Sequence, residues 1–379
     1  MQYNILHLIP LFEIGGLQRQ IANWVAYDPT GNRHFLGILN HSTEGFALIK
    51  REVAVLFNGN SQSPDNLIKS LLEHHVQIIV AHNRAAWDKA ATIIQEFPSC
   101  RLFFVAHGRD LQFRSEDQSV FLGRFRHNLT FTEKVICTSR FLESMVSGFV
   151  PEARSKITRV YNGVVAPSVD NTVTQRRAKE AVGIPPDRFL IGTVTRLAAD
   201  KNLEFLIRAV GVLVEQGTRD ILFLILGSGK DEASLRDQIK DARLDDYICL
   251  EPAKENVGAY YSAFDLYVNC SPFESCSMAI LEAMSYGLPV LAPTVGGNGE
   301  LIIDGEVGCL YPADDLGAFV KKFDALSRSS DLRGQLGTKA LKYVIENFGL
   351  ERMIGEYQSI FGGPWRGFRG ETHALFSKA

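Results

Sequence analysis

The stretch LYVNCSPFESCSMAILEAMSYGLPVLA, residues 266–292, has the pattern of a strand, a loop, a helix and a second strand. Residues 266–268 form a short apolar run, and a Ser-Pro pair at 271–272 opens the loop. Gly287 ends the helical pattern, and a proline then leads into the apolar residues 290–292. This unit is the building block of a parallel α/β sheet.

Two glutamates, Glu274 and Glu282, lie eight residues apart in this stretch. Glu274 falls in the loop, and Glu282 falls about one turn into the predicted helix. The first N–H groups of a helix have no partner within it, and the helix dipole favours anions there. Carboxylates accept hydrogen bonds from hydroxyl groups. The spacing therefore favours a ligand that carries both hydroxyls and phosphate.

The same alternation of short apolar runs and helical patterns extends along the chain. The first predicted strands are 5–9, 35–39, 76–80, 102–105 and 135–137, with helical patterns at 17–26, 64–74 and 85–96. A second series of strands is 190–194, 221–226, 247–250, 266–268 and 289–292. This alternation predicts two doubly wound parallel sheets, with ligands at the carboxyl ends of the strands.

A chain of 379 residues is too long for one ordinary core and predicts two Rossmann-like α/β domains facing a central cleft. Glycine and proline interrupt both patterns between 163 and 188. We therefore place a first domain at 1–165 and a second at 175–345. Residues 346–361 are predicted to form a final amphipathic helix, followed by a tail at 362–379.

Composition excludes several classes of protein. A hydrophobic content of 46% with 22% charged residues is typical of a soluble globular enzyme. No apolar run approaches the roughly 20 residues of a membrane-spanning helix, and the start lacks a basic signal-peptide region. Six scattered cysteines without a Cys-x-x-Cys pair indicate a reducing compartment, and nine histidines without zinc-site spacing argue against zinc.

The net charge of −3 disfavours nucleic acid as a partner but conceals an asymmetry. Residues 1–168 carry 17 Lys and Arg against 14 Asp and Glu, whereas the remainder carries 23 against 29. Four arginines cluster in the first half: Arg109, Arg114, Arg124 and Arg126. They would suit an anionic membrane surface, although an ordinary solvated surface explains them equally well.

Several predicted strands are followed by loops rich in glycine or basic residues. Gly15 and Gly16 open the first helix, and Gly227 follows strand 221–226. Such glycines allow backbone to approach a phosphate or sugar, although a plain tight turn explains them as well. Arg196 and Lys201 can converge on one diphosphate, although such a pair is more often simply exposed. Gly-x-Gly-x-x-Gly and Walker patterns are absent, which disfavours nicotinamide chemistry.

Taken together, these features resemble the retaining glycosyltransferases of the GT-B fold, in particular the family 4 group. The motif residues are Gly15-Gly16, Asn162-Gly163-Val164, Arg196 with Lys201, Gly227-Ser228-Gly229, Glu274 with Glu282-Ala-Met, Gly287-x-Pro289, and Asp304-Gly305-x-x-Gly308 with Pro312. The resemblance covers roughly 1–361 and is strongest over 190–312. It implies a cytoplasmic enzyme that transfers a sugar with retention of anomeric configuration. The first domain would bind the acceptor, the second the nucleotide sugar, and the helix at 346–361 would return to the first domain.

The resemblance also implies residue roles. The implied donor-binding residues are Gly15, Gly16, Arg196, Lys201, Gly227, Glu274, Ser277, Met278 and Glu282. Among these, Arg196 and Lys201 would bind the diphosphate, Glu282 the ribose hydroxyls and Glu274 the donor sugar. His107, just after strand 102–105, matches a histidine near the reacting sugar, although an isolated histidine is more often structural. The implied catalytic set is Arg196, Lys201, Glu274 and His107.

The implied chemistry needs neither a metal nor a cofactor, because fixed cations stabilise the leaving diphosphate of a UDP- or GDP-sugar. The implied acceptor is a glycan or a lipid-linked glycan, in envelope or exopolysaccharide synthesis at the inner face of the plasma membrane. The segment Ser275-Cys276-Ser277 stands where the family usually has Gly-aromatic-Gly. The family resemblance therefore does not imply which donor sugar is used. Two alternatives are another enzyme on this scaffold, such as a nucleotide-sugar epimerase, and a catalytically silent partner subunit.

Overall fold

The computed structural model describes residues 2–12, 15–40, 48–49, 53–58, 64–108, 111, 117–167 and 174–362. The chain divides into two compact units. The first contains Met1–Gly163 and the segment that begins at Leu350, and the second contains Val164–Gly349. Several residues of the sequence analysis lie outside the described residues: Arg109, Arg114, 168–173 and the tail 363–379.

The first unit contains a seven-stranded, wholly parallel sheet in the order β3-β2-β1-β4-β5-β6-β7. Its strands are β1 Asn4–Ile9, β2 Arg33–Ile38, β3 Ala54–Asn58, β4 Ile78–His82, β5 Arg101–Ala106, β6 Thr132–Cys137 and β7 Ile157–Arg159. Its connecting helices are α1 Gly16–Tyr27, α2 Pro64–Glu73, α3 Arg84–Glu96, α4 Gln118–Phe131 and α5 Arg140–Phe149. The strand order reverses between β1 and β4, which is where doubly wound sheets bind ligands.

The second unit contains a six-stranded parallel sheet in the order β10-β9-β8-β11-β12-β13. Its strands are β8 Phe189–Val194, β9 Ile221–Leu226, β10 Ile248–Glu251, β11 Leu266–Val268, β12 Val290–Pro293 and β13 Cys309–Tyr311. Its helices are α6 Gln175–Ala181, α7 Leu203–Glu215, α8 Glu232–Asp241, α9 Gly258–Ala263, α10 Met278–Ser285, α11 Asn298–Leu301, α12 Leu316–Arg328 and α13 Ser330–Phe348. Here the strand order reverses between β8 and β11.

The prediction of two doubly wound α/β sheets is confirmed, and all ten predicted strands are present with somewhat shifted ends. Helices cover both faces of each sheet, so the inner strands are largely apolar; all six residues of β9 are buried. Sequence analysis missed β3, β7 and β13. It also missed α6, which is anchored by a nearly buried ion pair of 2.7 Å between Lys179 Nζ and Asp265 Oδ2.

The last predicted helix, 346–361, was wrong in its extent. Helix α13 ends at Phe348, Gly349 adopts an extended conformation, and a separate helix, α14 Leu350–Ile360, follows. Helix α14 belongs to the first unit. The ring of Tyr357 lies 4.2 Å from that of Trp24 in α1, and the Gly163 N–H donates to Met353 Sδ at 3.2 Å. Within the described part of the chain, no helix combines the length and the apolar character needed to cross a membrane.

Candidate functional site

Two loops meet at the carboxyl edge of the second sheet, where the strand order reverses. One loop follows β8 and carries Lys201, and the other follows β11 and carries Glu274. Lys201 Nζ lies 2.7 Å from Glu274 Oε1, and the two side chains are only 16% and 12% exposed. An ion pair so far removed from water is held only where its geometry is good, because desolvating both charges is costly. The structure thus brings together two residues that are 73 positions apart.

Arg196 lies on the same loop as Lys201, but its side chain is half exposed. Its guanidinium Nη2 lies 2.8 Å from Asp200 Oδ2. The two cations of this loop therefore each face a carboxylate, and an incoming diphosphate would compete with Asp200 and Glu274 for them.

Helix α10 begins directly after the Glu274 loop, with Ser277 as its N-cap residue. No side chain caps this end, so its first N–H groups remain open to an anion. Met278 is the first helical residue and its side chain is buried, so its backbone N–H is the group that could bind a ligand. Glu282 lies one turn further along, where the Tyr261 hydroxyl donates to Oε2 at 2.9 Å.

Helix starts at the predicted site loops share one feature. The helices α1, α7, α8 and α10 follow these loops and begin without a side-chain cap, as do α9 and α11. In contrast, side chains cap α3, α4, α5, α6, α12 and α13. Uncapped N–H groups are therefore concentrated at the strand ends where an anionic ligand is predicted.

The glycines after β9 have a structural reason that sequence analysis did not foresee. A Cβ atom on Gly227 would lie 1.7 Å from the carbonyl oxygen of Thr195, and one on Gly229 would lie 2.2 Å from that of Leu197. The Leu197 N–H donates to the carbonyl of Ser228 at 3.0 Å. Gly227 is thus required by its close approach to the loop that carries Arg196, and its contact with a ligand stays a prediction.

The loop before α11 supports Glu274 in a similar way. The Gly297 N–H donates to the Glu274 carbonyl at 2.9 Å. Gly296 has φ +48°, and a Cβ atom there would lie 1.9 Å from the same carbonyl oxygen. Only glycine fits this position without displacing the Glu274 loop.

We expect Gly296→Ala to lower the free energy of unfolding by more than about 2 kcal/mol, since it combines a left-handed backbone with a clash against main chain. Urea unfolding of the full chain measures this. Gly299→Ala is the matched control, because a Cβ atom there meets nothing within 4 Å and alanine favours the helix. Equal stabilities of the two variants would show that the Glu274 loop does not depend on this contact.

Three predicted site residues lie in the first unit. Gly15 is the N-cap residue of α1, and the exposed Gly16 begins that helix. His107 follows β5, and its Nε2 lies 3.2 Å from Nδ1 of His82. Burial lowers the pKa of His107 to about 4, so the ring is uncharged at neutral pH.

Of the arginines predicted to face a membrane, Arg124 and Arg126 lie exposed on α4. Arg126 Nε lies 2.7 Å from Glu152 Oε1, so part of this positive charge is neutralised within the protein. Arg109 and Arg114 lie outside the described residues.

Sequence analysis missed the partners that orient these groups. Asp200, the partner of Arg196, lies four residues after it, a spacing that could have suggested the pair. Tyr261, the partner of Glu282, is joined to it only by the fold. Three histidines on neighbouring strands, His7, His34 and His82, were also passed over. In the sequence, each of them is a polar residue inside or at the end of an apolar strand, which could have drawn attention to them.

Residues 174–343 match the family Glycosyl transferases group 1. This match covers nearly all of the second unit, including both loops of the candidate site. The second unit is thus similar to a family of glycosyltransferases, and the structural neighbours show the same fold for the whole chain.

The curated relatives of this chain are distant. An N-acetyl-alpha-D-glucosaminyl L-malate synthase of Bacillus anthracis is 23% identical over 291 residues, which cover 76% of this chain and 73% of that protein. A GDP-mannose-dependent alpha-mannosyltransferase of Mycobacterium tuberculosis is 27% identical, over 63% of this chain and 60% of its own length. Several other curated relatives are matched over only 47% or 48% of their length.

Among solved structures, HepE of Anabaena in complex with UDP and glucose superimposes with a TM-score of 0.81. The two sequences are 18% identical, and the superposition covers 96% of this chain and 100% of that one. At this identity the likeness establishes the fold.

Proposed function

We propose that this chain is a retaining glycosyltransferase of the family 4 group, which moves a sugar from a UDP- or GDP-sugar to a glycan or lipid-linked acceptor. The observation that carries the proposal is the Lys201–Glu274 pair beside the uncapped start of α10, with Glu282 one turn away. Cations, open N–H groups and two carboxylates at one sheet edge match a ligand with a diphosphate and many hydroxyls.

Each group then has a role in binding the donor. When the donor binds, its diphosphate replaces the carboxylates as the partner of Lys201 and Arg196. It also accepts hydrogen bonds from the first N–H groups of α10. Glu274, released from Lys201, accepts hydrogen bonds from the donor sugar, and Glu282 accepts from the ribose hydroxyls. Relatives support this donor class: the HepE structures contain UDP or UDP-glucose, and the M. tuberculosis relative is named for GDP-mannose.

The same cations explain the catalysis. As the bond to the anomeric carbon breaks, negative charge builds on the diphosphate, and Lys201 and Arg196 stabilise it where it develops. In front-face transfer, a phosphate oxygen of the donor takes the acceptor proton, so no protein nucleophile is needed and the configuration is retained. His107, Gly15 and Gly16 are proposed as ligand-binding residues of the first unit.

Metal independence is part of the proposal, because two fixed cations can stabilise the leaving group in place of a divalent ion. Transfer measured with excess EDTA is expected to retain its full rate. Loss of activity with EDTA, restored by magnesium, would contradict this.

We further propose a cytoplasmic enzyme, peripheral to the inner face of the plasma membrane, in envelope or exopolysaccharide synthesis. The support is the surplus of Lys and Arg over residues 1–168 and the exposed Arg124. Sedimentation with vesicles of anionic lipid, but not with neutral ones, is the expected result. Equal sedimentation with both would remove the electrostatic argument.

Thermal unfolding against a panel of UDP-, GDP- and ADP-sugars tests the function. A ligand at 100 times its Kd stabilises the folded state by about 2.7 kcal/mol, so a UDP- or GDP-sugar is expected to raise Tm by several degrees. Free sugars serve as controls. Product formation with an acceptor supports transfer, conversion of the donor sugar without one indicates an epimerase, and binding without turnover indicates a silent subunit.

A further inference from the structure

Four histidines in the first unit form one hydrogen-bonded chain that ends on a buried aspartate. His34 Nε2 lies 2.8 Å from Asp28 Oδ2, and His7 Nε2 lies 2.9 Å from His34 Nδ1. His7 Nδ1 lies 3.1 Å from His82 Nε2, and His82 Nδ1 lies 3.2 Å from His107 Nε2. Every link therefore joins Nε2 of one histidine to Nδ1 of the next histidine or, at the end of the chain, to the Asp28 carboxylate.

The chain crosses the sheet diagonally. Its members lie on the neighbouring strands β2, β1 and β4, and the last follows β5 at the carboxyl edge. His7, His34 and His82 are 0%, 7% and 1% exposed, and the successive rings are stacked. Trp24 packs edge-on against His7 and His34. A path of imidazoles thus leads from the sheet interior to the edge where ligands bind.

Asp28 decides the direction of the hydrogen bonds. Its Oδ1 accepts from the N–H and the hydroxyl of Thr30 at 2.8 and 2.6 Å, and its Oδ2 accepts from Asn32 Nδ2 at 3.1 Å and from His34. Burial alone would raise the pKa of Asp28, but the hydrogen bonds from His34 and Thr30 outweigh it and lower the pKa. The carboxylate is ionised and can only accept, so His34 donates from Nε2.

The remaining tautomers follow from this first bond. Burial, with the neighbouring rings, lowers the pKa of His7 and His82 well below the usual value. A neutral imidazole has one donor and one acceptor nitrogen. In the neutral form of His34, which donates from Nε2 to Asp28, Nδ1 accepts from Nε2 of His7, and the pattern repeats through His82 to His107. The described residues offer no hydrogen-bond partner for Nδ1 of His107.

We propose that Asp28 fixes the tautomer of His107 through His34, His7 and His82, so that His107 meets its ligand through Nδ1 as a hydrogen-bond acceptor. The ligand group it selects is a hydroxyl, which can donate, and not a phosphate or carbonyl oxygen. This rests on the proposed function for the identity of the hydroxyl, on the donor sugar or the acceptor. Asp28 and the three inner histidines are positioning residues.

Nitrogen-15 NMR of the histidine side chains, in the ligand-free full chain at neutral pH, tests the proposal without any assumption about activity. His107 is expected to carry its proton on Nε2, with Nδ1 unprotonated. A proton on Nδ1 of His107 would overturn the proposal. A wild-type protein with the expected tautomer but no transferase activity would instead count against the proposed function.

Asp28→Asn is the perturbing variant. The Thr30 donors hold the amide oxygen at the Oδ1 position, so the NH2 group faces His34 and requires an acceptor there. His34 must turn its proton to Nδ1, and the reversal propagates to His107. We expect His107 to become protonated on Nδ1 and kcat to fall roughly two- to tenfold through one lost hydrogen bond. A parallel loss of donor affinity assigns the hydroxyl to the donor sugar, and an unchanged donor affinity assigns it to the acceptor.

Asp117→Asn is the matched control, because Asp117 also accepts hydrogen bonds, from Ser119, but caps α4 away from the histidine chain. It is expected to change neither the tautomer of His107 nor kcat. An unchanged tautomer of His107 in Asp28→Asn would refute the proposal. If that variant fails to fold, the tautomer of His107 in the wild-type spectrum still tests the proposal.

Discussion

Replacing Lys201 by alanine is expected to lower kcat for sugar transfer by roughly 10²–10³. Lys201 is the less exposed of the two cations at the sheet edge, and the 2.7 Å contact with Glu274 fixes the position of its ammonium group. A cation held in place before the reaction stabilises the leaving diphosphate without reorganisation, which is why its loss acts on kcat. Steady-state kinetics with saturating donor and acceptor measure the effect.

The variant also leaves Glu274 unpaired with only 12% of its side chain exposed, so stability must be measured beside activity. Combining Lys201→Met with Glu274→Gln removes both charges, and we expect it to recover stability but not transfer. Lys322→Ala is the matched control: it removes a 2.8 Å pair with Asp304 in the same unit, at 34% and 47% exposure. Lys322→Ala is expected to lower the free energy of unfolding by no more than about 1 kcal/mol and to leave sugar transfer normal. A Lys201→Ala enzyme as active as wild type would remove Lys201 from the mechanism.

The second large effect is expected at Glu282, where alanine is predicted to weaken binding of the nucleotide sugar by roughly 10- to 100-fold. Hydrogen bonds to a charged group contribute about 1.5–3 kcal/mol, and ribose offers two hydroxyls to one carboxylate. The Tyr261 hydroxyl holds this carboxylate at 2.9 Å, so the acceptor is already oriented. Isothermal titration with the nucleotide sugar that stabilises the wild type provides the measurement.

Two further variants sharpen this result. Tyr261→Phe keeps the carboxylate but removes its hydrogen bond, and we expect a loss of affinity of less than about tenfold. Glu306→Ala removes an exposed carboxylate of the same unit and is expected to bind normally. Binding by Glu282→Ala as tight as that of the wild type would show that the ribose lies elsewhere.

The fold could be predicted from the sequence wherever strands are covered by helices on both faces. Their apolar runs are continuous, as in 221–226, and the alternation with helices predicts the parallel sheets. The missed strands β3, β7 and β13 are all at sheet edges. Edge strands pair on one side only and are often short, as are the three residues of β7 and of β13, so their pattern is weak.

The candidate site could be predicted to the level of strand ends but not of contacts. The ends of parallel strands meet at one edge, which places Lys201 and Glu274 near each other; that they pair directly depends on tertiary geometry. The histidine chain depends on the register of four strands, which no local pattern specifies. Gly227 is required by the neighbouring backbone, a reason that the sequence does not reveal, and its contact with a ligand stays a prediction.

A crystal structure with the bound nucleotide sugar shows whether the donor occupies the carboxyl edge of the second sheet. We predict the diphosphate within hydrogen-bond distance of Lys201, Arg196 and the first N–H groups of α10, with Glu282 on the ribose and Glu274 on the sugar. A nucleotide bound away from the carboxyl ends of β8 and β11, with the Lys201–Glu274 pair intact, would contradict the account.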